Sequence, residues 1–262
     1  MTSAQIPIVL LHGVGLDRSM WQPLAARLEA AGRPCVVLDL PGHGGQPPLR
    51  RAQTLASLAA DVVARLPEGR AHLVGFSLGA LIAQHIARFS PERVATLTSV
   101  NSVCRRTPEE AERVEARLAT AGDDFTRGVE ASIERWFPAA TTAVPQEIVE
   151  RTRAALLAND VESYLHAYTV FARGDHEIGP ELGRIAAPSL AITGELDPGS
   201  TPEMSRRLAA AIPDCRVVIV PNTRHMMPVE DTPALAAAIT AFIAESEGAE
   251  HERAQHEHAR RD

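Results

Sequence analysis

Ala71-His72-Leu73-Val74-Gly75-Phe76-Ser77-Leu78-Gly79-Ala80 is the stretch that decides how this chain is read. An apolar run leads into Gly-Phe-Ser-Leu-Gly, and a helix-like stretch opens at Ala80. The G-x-S-x-G spacing describes a sharp strand-to-helix turn: the serine backbone is strained, and the flanking glycines let strand and helix approach without a clash. In that setting Ser77 is the candidate nucleophile.

Working outward, short and nearly all-apolar runs recur at Ile8 to Leu11, Cys35 to Leu38, His72 to Val74, Leu97 to Val100, Leu190 to Thr193 and Val217 to Val220. Such runs suit parallel strands buried on both faces, and the segments between them carry helical periodicity. An α/β sheet with helices on both faces is expected. Leu55, Leu58, Val62, Val63 and Leu66 mark one helix face, with Thr54 as its N-cap. Leu235, Ile239, Phe242 and Ile243 mark another, and Pro233 suits its first turn.

Between Cys104 and Ile185 the strand signal stops and four helical patterns replace it. Residues 104–185 therefore read as a helical insertion into a core made of residues 1–103 and 186–246. Phe125, Val129, Ile133, Trp136 and Phe137 form one stripe; Tyr164, Leu165, Tyr168 and Phe171 form another. Each stripe is either the insertion's own core or the wall of a substrate pocket. Residues 247–262 are polar, with His251, His256 and His258 among Glu and Arg, and are expected to be disordered.

The chain has 262 residues, is 45% hydrophobic and carries a formal net charge of −7. That balance argues against a nucleic-acid partner. No apolar run approaches the roughly 18 residues that would cross a bilayer, and Met1 to Pro7 has neither a basic segment nor an apolar one, so the expected location is cytoplasmic, away from the membrane. Cys35, Cys104 and Cys215 are odd in number and widely spaced, which does not suit a disulfide framework.

A serine hydroxyl needs a histidine base and, as a rule, a carboxylate that orients it. His85 lies along the helix that follows Ser77, and His43 lies in a loop without an obvious carboxylate. His225 follows the last apolar run by a short loop, at a strand's carboxyl end, where open α/β sheets place their sites. Asp197 follows Leu190 to Thr193 in the same way, with Glu195 as its nearest competitor. The order Ser77, Asp197, His225 is the one expected of a strand-elbow serine hydrolase. The developing oxyanion needs donors, which the backbone N–H groups of Leu78 and of Val14, in His12-Gly13-Val14-Gly15, can supply. Gly13-x-Gly15 lacks the third glycine of a dinucleotide site, and neither cofactor nor metal is expected.

These residues resemble the α/β-hydrolase superfamily over residues 5 to 245. The resemblance rests on His12-Gly13, on Asp39-Leu40-Pro41-Gly42-His43-Gly44, on the Gly75 to Gly79 turn, on Thr193-Gly194-Glu195-Leu196-Asp197, and on His225 followed by Pro228-Val229-Glu230. It implies a mostly parallel, eight-stranded sheet with a helical cap. Glu134-Arg135-Trp136-Phe137-Pro138 and His225-Met226-Met227-Pro228 are similar to 3-oxoadipate enol-lactonases, whereas Arg224 departs from the small residue of many relatives. The implied chemistry is cleavage of a carboxylic ester or lactone through an acyl-enzyme. A substrate carboxylate would then need a cationic partner, for which Arg105, Arg106 and Arg135 are candidates, with Trp136 as a pocket wall. Hydrolases of carbon–carbon bonds in ring-cleavage products and cofactor-free haloperoxidases use the same residues. A ligand receptor that keeps the fold without turnover is the alternative of another class. Oligomeric state is not legible.

Overall fold

The computed structural model describes residues 5–259 of the chain. In chain order its elements are β1 (Ile8–Leu11), α1 (Gln22–Ala30), β2 (Cys35–Leu38), α2 (Leu55–Arg65), β3 (Ala71–Phe76), α3 (Leu78–Phe89) and β4 (Val94–Val100). Four helices follow: α4 (Pro108–Thr120), α5 (Phe125–Trp136), α6 (Gln146–Leu157) and α7 (Val161–Ile178). The chain then returns to β5 (Ser189–Gly194), α8 (Pro202–Ala211), β6 (Cys215–Val220), α9 (Met227–Glu230) and α10 (Thr232–Ala259).

Among the described residues the strands form one six-stranded sheet in the order β2-β1-β3-β4-β5-β6, and every pairing is parallel. This corrects the eight strands that the resemblance implied. The physical reason lies in the apolar runs: the chain has six of them, and each became a strand, the edge strands β2 and β6 staying partly exposed. Between β2 and β3 the chain spends its apolar residues on α2, whose N-cap Thr54 accepts from Ser57 N–H at 3.1 Å.

Successive strand residues alternate between two cores, as the two-residue period requires. Val9, Leu11 and Leu73 pack with α2, α3 and α8 on one face, while Ile8, Leu10, Val74 and Phe76 pack with α1 and α10 on the other. Burying both faces explains why the central strands are mostly apolar, with polar side chains such as Thr96, Thr98 and Ser99 buried among them. The order reverses where β1 lies beside β3, pairing Leu11 with Gly75, and ligands of open α/β sheets bind at the carboxyl edge of such a reversal.

Helix α10 runs to Ala259. The tail from residue 247, expected to be disordered, is therefore helical through Ala259, and residues 260–262 lie outside the described residues, as do the side chains of His256 and His258. Long-range ion pairs hold part of it down: Arg33 makes a bidentate contact with Glu247 at 2.7 and 2.8 Å, and Arg70 meets Glu250 at 2.7 Å. No helix among the described residues is long and apolar enough to cross a membrane.

Candidate active site

Ser77 stands at the junction of β3 and α3 with φ +53°, in the left-handed region that costs a non-glycine residue energy. Surrounding contacts hold that conformation. Ser77 N–H donates to Val100 O at 3.0 Å on the neighbouring strand, and Gly79 N–H donates to His12 O at 3.1 Å. A Cβ on Gly79 would lie 2.3 Å from Leu11 O, so the absence of a side chain is what lets α3 start against the end of β1.

Asp197 and His225 come from the next strand ends. His225 Nδ1 lies 2.7 Å from Asp197 Oδ2, and Asn101 Nδ2 donates to the same oxygen at 2.7 Å. Asp197 Oδ1 accepts from Gly199 N–H at 2.8 Å and Ser200 N–H at 2.9 Å. Burial pushes the Asp197 carboxyl up, but the imidazole and these donors outweigh it and leave its pKa below the usual carboxylate range. Glu195, the competitor, is exposed and accepts instead from Asn222 N–H at 3.1 Å.

His43 and His85, the other histidines considered as bases, are held elsewhere. His43 is buried against Pro41 O at 2.9 Å, and His85 packs on Phe89 with ring centroids 4.5 Å apart. His12, fully buried, accepts from Leu40 N–H at 2.9 Å; burial, aided by the neighbouring His43, lowers its pKa to about 3, which keeps it neutral.

One cleft gathers Val14, Ser77, Asp197 and His225 from the sheet edge and Arg117, Arg135, Trp136, Tyr164, Tyr168 and Phe171 from α4, α5 and α7. Trp136 stacks on His225 at 5.5 Å with 26° between the rings, and Phe76 supports the imidazole's other surroundings at 4.9 Å. Among the described residues no hydrogen bond joins Ser77 Oγ to His225, whose Nδ1 is engaged by Asp197. The N–H groups of Val14 and Leu78 likewise have no acceptor among the described residues, so both remain available as donors.

The stripes on α5 and α7 divide between the two readings. Val129, Ile133 and Phe137 are buried core, whereas Tyr164, Tyr168 and Phe171 line the cleft. Arg105 is exposed, donates to Gly179 O at 3.1 Å and does not line the cleft. Arg106 lines it but is committed to a buried ion pair with Asp175. Arg135 and Trp136 line it directly. Arg117, which the residue reading did not single out, stands with Arg135; neither pairs with a carboxylate among the described residues. Burial, followed by the like charge of Arg117, lowers the pKa of Arg135. Asn101 was also missed, although its place at the carboxyl end of a strand next to β5 is the one available signal. Among the described residues no group of three or more His, Cys, Asp or Glu could hold a metal ion.

Residues 8–239 match the family model described as the alpha/beta hydrolase family. The chain is 29% identical to (E)-2-((N-methylformamido)methylene)succinate hydrolase of Acinetobacter baylyi over 240 residues, which cover 90% of each chain. It is 30% identical to a pimeloyl-[acyl-carrier protein] methyl ester esterase of Edwardsiella ictaluri, covering 90% of this chain and 92% of that one. Among solved structures, the enol-lactonase from Burkholderia xenovorans LB400 superposes with a TM-score of 0.82 at 26% identity, covering 92% of each chain. A match that spans the sheet, the elbow and the inserted helices alike makes this chain a member of the alpha/beta hydrolase family and a hydrolase of that class.

Proposed function

We propose that the protein is a serine hydrolase that cleaves a carboxylic ester or lactone, with Ser77 as nucleophile, His225 as base and Asp197 as the carboxylate that orients it. The observation that carries this reading is the placement of a strained Ser77 in the same cleft as the Asp197–His225 pair. Ser77 Oγ attacks the carbonyl carbon while His225 Nε2 takes its proton, and the N–H groups of Val14 and Leu78 receive the developing oxyanion. Asp197 accepts from Nδ1–H, which fixes the tautomer and stabilises the imidazolium. The imidazolium returns its proton to the leaving alkoxide. Water, deprotonated by the same imidazole, then attacks the acyl-enzyme, and Ser77 is regenerated as the carboxylic acid leaves.

Residues 104–185 act as the cap in this reading, since α4, α5 and α7 supply the wall opposite Ser77. Arg117 and Arg135 support a substrate that carries a carboxylate, because two guanidiniums that line one cleft without a carboxylate partner among the described residues favour an anion there. A relative named for a succinate is consistent with that charge.

Initial rates on carboxylic esters, an enol-lactone and a ring-cleavage dienoate, for wild type and Ser77→Ala, test the proposal. Ester or lactone turnover that disappears in Ser77→Ala is expected. Turnover of the dienoate alone would overturn ester or lactone cleavage in favour of carbon–carbon bond hydrolysis.

A further inference from the structure

The loop that presents His225 is clasped by a second carboxylate. Glu230 closes α9, and its two oxygens take the backbone N–H groups on either side of the histidine: Oε2 accepts from Arg224 N–H at 2.5 Å and Oε1 from Met226 N–H at 3.0 Å. Met226 is fully buried, so its N–H would be left without a partner if that oxygen were removed. The turn is closed further by Val229 and Glu230 N–H groups, both donating to Met226 O at 2.9 Å. Glu230 is thus tied to the imidazole's backbone from both sides, and it belongs to the short helix that immediately follows the base.

We propose that Glu230 is a positioning residue for His225: it fixes the ring between Asp197 and Ser77 through the two flanking amides, and its charge adds to that of Asp197 in favouring the imidazolium. The proposal rests on His225 being the base. The charged groups around the imidazole are Asp197 from the loop after β5, Glu230 from α9, Arg224 from the histidine's own loop and Arg135 from α5, beside the Trp136 that stacks on the ring; Ser77 faces it from the elbow. Burial raises the Glu230 carboxyl, and the two amides and His225 act in the opposite sense. Its charge is therefore coupled to the imidazole as well as to the loop.

Glu230→Gln keeps the size of the side chain, removes the charge and leaves a single acceptor for two amides; Glu230→Asp keeps the charge and shortens the reach. The readouts are kcat per active site titrated with a fluorophosphonate, KM for a short p-nitrophenyl ester, and the pH profile of kcat/KM. For Glu230→Gln, kcat per titrated site falls on the order of tenfold with KM within about twofold, and the acid limb moves down by roughly half a pH unit or more. For Glu230→Asp, kcat falls while the acid limb stays near its wild-type position. An unchanged kcat per titrated site with an unmoved acid limb in Glu230→Gln would show a purely structural residue and overturn the proposal. If Glu230→Gln does not fold, an unchanged kcat per site in Glu230→Asp does the same. NMR titration of the His225 imidazole in a Ser77→Ala background reads the charge coupling without turnover. A protein that shows that coupling and hydrolyses no ester would sink the functional reading and leave the Glu230 coupling standing.

Discussion

Asn101 Nδ2 lies 2.7 Å from Asp197 Oδ2, the oxygen that also meets His225 Nδ1 at 2.7 Å. Two donors from different strand ends converge on one atom. Asn101 is fully buried at φ +46°, and its own N–H donates to Ile192 O at 2.8 Å, so β4 and β5 together aim its amide at the acid. A buried carboxylate stays ionised only when its lone pairs are satisfied, and here four donors satisfy them.

Asn101→Ala removes a hydrogen bond to a charged group and places alanine at a left-handed φ. Chemical denaturation should show a loss of about 1–3 kcal/mol. Steady-state kinetics should show a lower kcat with little change in KM, since Asn101 acts on the acid rather than on the substrate. A loss of stability with kcat intact would contradict its link to the His225–Asp197 pair.

Acidification should reveal the depressed pKa of Asp197. A carboxylate whose folded pKa lies below its unfolded value contributes its stability above about pH 4, and loses it as pH falls through the folded value. The gap in Tm between wild type and Asp197→Asn, present at about pH 5, should therefore close below about pH 4. A gap that widens on acidification would refute the assignment.

Two glycine-to-alanine changes should behave in opposite ways. A Cβ on Gly79 meets Leu11 O at 2.3 Å and His12 O at 2.6 Å, both main-chain atoms that cannot swing aside. Gly79→Ala should cost about 3 kcal/mol or more in denaturant melts, together with loss of activity. A Cβ on Gly128, in α5, meets nothing within 4 Å, and Gly128→Ala should be neutral or stabilise by up to about 1 kcal/mol through helix propensity. Equal effects would mean that the elbow is not sterically closed.

Arg117→Ala and Arg135→Ala should discriminate by substrate charge. For an ester carrying a carboxylate, KM should rise about tenfold or more in each variant, whereas a neutral ester of similar size should change by less than about threefold. Equal losses on both substrates would assign the arginines to the packing of α4 and α5.

The sheet was legible because parallel strands covered on both faces are mostly apolar, and the six runs from Ile8 to Val220 fall within the six strands. The two further strands came from the resemblance and had no run of their own. That Ser77, Asp197 and His225 would meet in one cleft was readable because each follows a strand at the carboxyl edge. Asn101 was not, since its place after a strand does not by itself mark a buried asparagine as the partner of an acid on the next strand. Arg117 escaped for another reason: helical periodicity says which residues leave the core, not which of them face a cleft. Composition misjudged the tail because the partners of Glu247 and Glu250 are Arg33 and Arg70, far away in sequence.

The central claim is that Ser77 is the nucleophile. Reaction of the folded protein with a fluorophosphonate, followed by intact-mass measurement and peptide mapping, tests it most directly. One adduct per chain on Ser77, absent in Ser77→Ala and strongly slowed in His225→Ala, is the predicted result. Failure of the folded wild type to label, or labelling that persists in Ser77→Ala alongside wild-type ester turnover, would contradict it.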